Sequence, residues 1–458
     1  ASLPQGYVSE FTSRLPSALA FIILIGFTLV FFGKRLRFQQ AFIATLLLIT
    51  CIEIHRAAMT TRVDMLLTTF IVIGLYQLYR WEDKLELKGV PIAIPALLGC
   101  AVLTKGPVGI ILPLFVFGVY LLMLRKYSYL VIFKALLYAG ISSIFLPLLW
   151  YVAAWKQGGD TFLNVVLAEN FGRFFHLSTP DIHYNLGHEN GVWYNFMTLA
   201  AGFVPWTIFF FFSLFGLKLH KPEKSVKEIL ASTWNNIRSM EKEKLFSLVA
   251  LVCIIFFYSI PSSKRSVYLM PAYPFIAIFL AQYTLYITEY RTKVTRVFAA
   301  FMASITAVVV IAVALTMAGA IDPVKIASQY TSRQSTLETV ELVSNMFAYP
   351  CGLTICILIV LLAILATVYY QMFKKLYATI ALAFAINLLI DGVVMRGIRQ
   401  GSSARPFAKQ VQKEYPLDDM NMYVMNDLKT YANLYGLNFY LGNKFHNFGQ
   451  EQPVSGFF

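Results

Sequence analysis

Apolar runs separated by short polar breaks fill most of the chain. They fall at about 17–33, 39–55, 64–79, 90–104, 106–124, 133–155, 193–217, 244–260, 266–287, 295–319, 349–370 and 375–394. A helix needs about 20 apolar residues to cross the hydrocarbon core, and most of these runs approach that length. The pattern predicts an all-α polytopic membrane protein with about twelve transmembrane helices. Within 90–124 the sequence Leu-Thr-Lys-Gly at 103–106 interrupts one long run, which predicts two helices there. Residues 320–348 are expected to form a modest loop, and the charged stretch 218–244 a solvated helical connection. After residue 394 the composition turns polar. An amphipathic helix is expected over 405–415, and strands at 422–426 and 437–442 around a helix at 428–436. This divides the chain into a transmembrane domain, 1–394, and a small extracytoplasmic α/β domain, 395–458. Ala1 falls in what looks like mid-loop, so an amino-terminal span is expected to be missing. The carboxy-terminal domain is expected to be incomplete.

Composition strengthens the membrane reading. The 458 residues are 58% hydrophobic and 14% charged, whereas soluble domains carry about 25% charge. The net charge of +14 calls for no nucleic acid, because its distribution explains it. With two spans at 90–124, alternate loops hold 21 Lys and Arg, against 10 in the opposite loops before residue 395. The richer set is cytoplasmic by the positive-inside rule, which places the carboxy-terminal tail outside. Cys51, Cys100, Cys253, Cys351 and Cys356 lie in or beside apolar runs without paired spacing. Neither a disulfide framework nor a zinc site is expected.

Some polar residues fit poorly with a purely structural role. Between two long apolar runs, residues 259–274 carry Lys264, Arg265 and Tyr268 before Pro271 and Pro274. Cations at an outer membrane face run against the charge bias. A point charge, a planar fork and a neutral donor together suit a phosphate; a loop resting near lipid headgroups is the alternative. Arg62 and Asp64 stand at the mouth of the next span, where an ionisable pair is costly and suggests function or a structural ion pair. Lys105 sits at the break before Gly106 and Pro107, where it could meet an anion or snorkel to headgroups. Residues 160–177 show helical apolar spacing, with Glu169 and Arg173 four apart on another face, as in a helix lying in the interface. His183, His188 and Glu189 have the chemistry of divalent-metal ligands, but their spacing alone is weak support and no metal cofactor is expected.

The runs EFTSRLPSAL (10–19), TRVDMLLTTF (61–70), LTKGPVG (103–109), ENFGRFF (169–175), HENGVWYNF (188–196), GFVPW (202–206) and KRSVYLMPAYP (264–274) occur in this order. Together they resemble the bacterial polyprenyl-phosphate-dependent GT-C glycosyltransferases. That group contains the aminoarabinose transferases of lipid A and the protein O-mannosyltransferases. The resemblance implies a multi-pass inner-membrane enzyme, with its site at the periplasmic face. It would take a polyprenyl-phosphate-linked sugar and pass the sugar to lipid A or a protein, acting as a monomer among membrane lipids. It further implies that Arg173, Lys264 and Tyr268, with Arg265 beside them, contact the donor phosphate. Asp64 would be an acidic group near the catalytic cavity, with Arg62 beside it, and Lys105 the lysine of the Leu-Thr-Lys-Gly motif. The family's main catalytic carboxylate would precede Ala1, so this chain is expected to bind donor lipid yet transfer sugar poorly. The competing expectations are a lipid or solute transporter and a non-catalytic lipid-phosphate-binding protein.

Overall fold

Helix α1 (Glu10–Gly33) starts at a capping box, in which Ser9 and Thr12 satisfy each other's backbone N–H groups. Its buried positions, Ser17, Ala20, Leu24, Thr28 and Phe31, recur at helical spacing, while Ile22, Phe27 and Val30 on the outside are apolar and exposed. A helix apolar on both faces suits lipid on one side and protein on the other. The structure, a computed structural model, describes residues 9–85, 89–167, 190–215, 225–261, 263–348, 350, 352–369, 375–401, 403–415, 422–424, 434–442 and 445–447.

The chain next forms α2 (Phe38–Thr50) and α3 (Ile52–Ala58), bent by 67° at Cys51. Neighbours satisfy this break: the Ile52 N–H donates to the Val204 carbonyl at 3.3 Å, the Trp206 indole to the Thr50 hydroxyl at 2.8 Å, and the Asn387 amide to the Thr50 carbonyl at 3.0 Å. A broken helix survives in a membrane only when its freed backbone groups find such partners.

Helix α4 (Val63–Glu82) is the axis of the bundle, with most of its side chains buried. Its 20 residues span about 30 Å, the thickness of a hydrocarbon core. Hydroxyls tie it to α1: Ser17 donates to the Arg62 carbonyl at 3.0 Å and Thr69 to the Ala20 carbonyl at 2.9 Å. At the far end Glu82 is buried and accepts from Lys126 and Lys242, each at 3.2 Å, and from the Tyr127 hydroxyl at 3.0 Å. The Tyr127 hydroxyl and the Glu82 carboxylate together hold the Lys126 ammonium above the usual lysine pKa.

Helices α5 (Ala93–Lys105) and α6 (Val108–Leu124) are separate, as the Leu-Thr-Lys-Gly interruption predicts. Gly106 closes α5 at φ 82°, a conformation that favours glycine. Three residues on, a Cβ at Gly109 would lie 2.5 Å from the Ala101 and Val102 backbone, so the absence of a side chain permits the tight approach. Helix α7 (Tyr129–Leu167) kinks at Gly159, φ 61°. Then come α8 (Tyr194–Gly202) and α9 (Trp206–Leu214), bent by 101°, and α10 (Val226–Arg238). Helix α10 is more than a solvated connector: Val226, Leu230 and Trp234, four apart, leave an apolar face exposed. Helix α11 (Lys242–Ser259) leads through the irregular residues before a 3₁₀ turn (Ser266–Ala272) into α12 (Tyr273–Tyr290). That turn packs against α3, α4, α8, α11 and α12.

The remaining helices are α13 (Thr292–Met317), α14 (Pro323–Ser328), α15 (Gln334–Ala348), α16 (Gly352–Tyr369), α17 (Lys375–Leu389), α18 (Met395–Gly401), α19 (Arg405–Glu414) and α20 (Tyr435–Tyr440). A π-helical stretch, Ile390–Val394, joins α17 to α18. The region 320–348 therefore holds two helices instead of a plain loop; Asp322 caps the first by accepting from the Val324 and Lys325 N–H groups. The strand expected at 437–442 is mostly helix α20. Strands β1 (Met422–Val424) and β2 (Phe445–Asn447) pair in parallel, Met422 opposite Phe445. Short apolar runs do not separate strand from helix by pattern alone.

Packing divides the chain into two units. One holds 1–305 and 364–387, the other 306–363 and 388–458. In the second, α15 packs on α18, where Gly397 faces Val343 and Gly401 faces Thr339.

This is a multi-pass membrane protein. Among the described residues, five helices are long and apolar enough to cross a membrane, or seven if each bent pair counts as one span. The expected twelve included segments that fall short on charge or length. Helix α11 opens with Lys242, Glu243 and Lys244, and α5 and α6 are short.

Candidate functional site

The polar groups of interest gather at the Asp64 end of α4, around the turn 266–272. Asp64 lies in the first turn of α4 and Lys105 is the last residue of α5. Each charge therefore sits at the helix end whose dipole favours it. The two form an ion pair, with the lysine amine donating to the Asp64 carboxylate. The ammonium also lies 4.5 Å from the centre of the Tyr268 ring, within cation–π range. Tyr268 leans on Tyr258, ring centres 5.6 Å apart. The Lys105 side chain keeps 32% of its surface exposed and that of Asp64 only 11%. One open cation is thus held by a nearly closed carboxylate and an aromatic face.

A second cluster was missed at the level of sequence. Glu53, on the bent helix α3, is buried, accepts from Arg56 at 2.8 Å and takes the Ser266 hydroxyl at 2.8 Å. Arg56 itself is half exposed. Nearby, Tyr273 stacks on Phe203 at 4.4 Å, and its buried hydroxyl finds no partner among the described residues. Gly202 makes room for that hydroxyl: a Cβ there would collide with it and would lie 3.0 Å from the Glu53 Cβ. The available signal was an acidic residue inside the apolar run 39–55, since a carboxylate at membrane depth is rare without a purpose.

The other candidates are placed as follows. Lys264 is buried, and its amine donates to the Asn190 carbonyl at 3.1 Å and the Pro261 carbonyl at 2.7 Å, while the Asn190 amide returns a bond to the Lys264 carbonyl at 3.1 Å. This clasp commits two of the ammonium's three N–H groups. Arg265 is exposed. Arg62 does not pair with Asp64; it is exposed, and its backbone carbonyl receives the Ser17 hydroxyl. Extended backbone at the helix start explains the separation, since Arg62 precedes α4 with φ −142° and ψ 142°. Arg173, Glu169, His183, His188 and Glu189 lie outside the described residues. Among the described residues no cluster of three or more His, Cys, Asp or Glu could hold a metal.

These features can be set beside known proteins. The family profile for dolichyl-phosphate-mannose-protein mannosyltransferases matches residues 6–151. An uncharacterized protein of Aquifex aeolicus is 29% identical over 217 residues, 47% of this chain and 37% of that protein. An undecaprenyl phosphate-alpha-4-amino-4-deoxy-L-arabinose arabinosyl transferase of Aeromonas salmonicida is 23% identical over 278 residues, 60% of this chain and 46% of its own length. The same transferase of Erwinia tasmaniensis is 21% identical over 68% of this chain and 52% of its own length. The crystal structure of ArnT from Cupriavidus metallidurans bound to undecaprenyl phosphate superposes with a TM-score of 0.65 at 19% identity, covering 96% of this chain and 72% of that one. The chain has the fold of that ArnT. The apo structure of the same ArnT gives a TM-score of 0.58 at 18% identity. The chain spans about half or less of the curated relatives it matches.

Proposed function

We propose that the chain forms the membrane core of a glycosyltransferase that takes a sugar from a polyprenyl-phosphate carrier. The reaction would occur at the extracytoplasmic face of the bacterial inner membrane, with a lipid A-type phosphate or a protein hydroxyl as acceptor. The observation that carries this reading is the half-open Lys105 ammonium, held between Asp64 and the Tyr268 ring at the end of a broken helix pair. The names of the similar transferases and the phosphate lipid bound to the structural neighbour support the donor class.

The chemistry follows from charge. An acceptor oxygen attacks the anomeric carbon, the bond from that carbon to the phosphate oxygen breaks, and the phosphate keeps the electron pair. Lys105, turning from Asp64 toward that oxygen, would stabilise the growing negative charge in a partly dry site. Asp64, relieved of its partner, becomes a stronger acceptor for the proton of the attacking group. Arg56 and Arg265, exposed at the same end, would add to the field that draws an anionic lipid headgroup. Arg173, Lys264 and Arg62 remain proposed contributors to lipid-phosphate binding, Lys264 chiefly by holding the 261–264 segment in shape.

The test uses the full-length protein in lipid nanodiscs. Polyprenyl-phosphate binding and sugar transfer are measured on one sample, and lipid A and glycoproteins are compared by mass spectrometry in cells with and without the gene. Transfer that falls with Lys105→Met supports the reading. Binding without transfer to any acceptor in the intact protein would instead favour a lipid-phosphate-binding protein.

A further inference from the structure

A groove of about 160 Å³ lies at the other end of α4, against α1. Its floor is the stacked pair Phe31 and Tyr76, ring centres 4.1 Å apart. The Tyr76 hydroxyl bonds to Thr28 at 3.2 Å, so the ring is fixed. Phe27 and Val30 form an apolar wall, 46% and 55% exposed, facing where lipid chains would lie. Three cations rim the groove: Lys34, Arg35 and Arg80.

Among the described residues these cations make no ion pair with neighbouring acids. Glu82 is occupied by Lys126 and Lys242, and Asp83 by Lys242 at 3.1 Å. Arg35 donates to the Phe31 carbonyl at 2.9 Å and lies 4.3 Å over the Phe31 ring, so its guanidinium is already positioned. Arg80 donates to the Gln77 side-chain oxygen at 3.4 Å. Among the described residues none of the three meets a carboxylate.

We infer that this groove binds an anionic glycerophospholipid, with one acyl chain along Phe27 and Val30 and the headgroup phosphate among Lys34, Arg35 and Arg80. An apolar trough suits a chain, and a fork with two further cations suits a phosphate. A zwitterionic lipid would bring its own ammonium to a rim that already holds three positive groups, so selectivity for net-negative headgroups follows. Sixteen residues of α4 separate Asp64 from Arg80, about 24 Å along the helix axis. The site is therefore distinct from the Asp64 end, and its failure would leave the transferase reading untouched.

The experiment takes the full-length protein, delipidated in detergent and offered equal phosphatidylglycerol and phosphatidylcholine. Retained lipid is counted by native mass spectrometry. The wild type should prefer phosphatidylglycerol. The Lys34→Gln/Arg80→Gln variant should lose about fivefold of that preference for each cation removed, and Lys34→Arg/Arg80→Lys should keep it. Addition of millimolar inorganic phosphate should not displace the lipid, because the groove holds the chain as well as the headgroup; ready displacement would show a simple phosphate site and overturn the lipid assignment. A photoactivatable phosphatidylglycerol added to the wild type provides a readout free of folding effects. It should label peptides covering 27–35 and 76–80. Equal retention of both lipids by the wild type, or labelling confined to other segments, would overturn the proposal.

Discussion

The two ends of α4 each carry a buried carboxylate paired with lysine, yet they differ in how fully their charges are satisfied. Glu82, at the end where the helix dipole disfavours an anion, takes two ammoniums and a phenol; its side chain is 1% exposed. Asp64, at the end that favours an anion, has a single lysine, and that lysine shares its charge with an aromatic face. The first arrangement pins the start of α11 and the loop before α7 to the end of α4. The second leaves a cation that can change partners at low cost, because Asp64 keeps some support from the helix terminus when Lys105 leaves. A saturated buried pair is thus evidence for architecture, and an unsaturated one at a helix break is evidence for chemistry.

Exchanging the two ends by mutation tests that distinction. The largest effect is expected at the open end: Asp64→Asn or Lys105→Met in the full-length protein should lower sugar transfer by about a hundred- to ten-thousand-fold. Melting temperature should change little, and kinetic assays beside thermal melts would show this. If transfer persisted within a few fold in both variants, the open pair would be structural after all.

At the saturated end the order of effects should reverse. Glu82→Gln should cost about 2 kcal/mol of stability, less than the loss of a fully buried pair, because both lysines are nearly half exposed and can rehydrate. Transfer per folded molecule should stay near wild type. Denaturant titration in mixed micelles together with active-fraction kinetics would measure both. A large loss of turnover at unchanged stability would erase the contrast between the ends.

Smaller effects should grade the site further. Tyr268→Phe keeps the ring under Lys105 and should behave nearly as wild type, whereas Tyr268→Leu should weaken donor-lipid binding by about 1 kcal/mol through the lost cation–π contact. Lipid-binding titrations on the pair decide whether ring or hydroxyl matters. Smallest of all, Trp234 on the exposed face of α10 should be quenched by bromine-labelled lipid chains. The Trp234→Phe variant supplies the baseline, and equal quenching of the two proteins would place that face away from lipid.

Local signals carried much of the fold. Periodic apolar runs marked the long helices, and the Lys105–Gly106 interruption marked the α5–α6 break, because a glycine at positive φ leaves a trace in the sequence. The segment 259–274 could be singled out since cations and prolines between apolar runs are unusual. The partner of Asp64 was another matter. Arg62 is two residues away and Lys105 forty-one residues away in the chain, and only the packing of α4 on α5 selects the distant one. Glu53 escaped because averaging hydrophobicity over 39–55 conceals a single carboxylate. Lys264 was visible as a charge, but its clasp by two backbone carbonyls depends on a loop conformation that no periodicity encodes. Residues 437–440 were read as part of a strand but are helical, because a short run with Leu437, Phe439 and Tyr440 around Asn438 fits both patterns.

Gly202 has a consequence for genetics. Any side chain at that position would strike the Tyr273 hydroxyl and crowd Glu53. A screen for lost function would therefore recover Gly202→Ala beside Asp64 and Lys105, although glycine offers no group that could act on a substrate. Its allele should be distinguishable by suppression: Tyr273→Phe, which shortens the obstructing ring by one oxygen, should partly restore Gly202→Ala and do nothing for Lys105→Met. A pedigree of suppressors could thus separate residues that act from residues that keep clear.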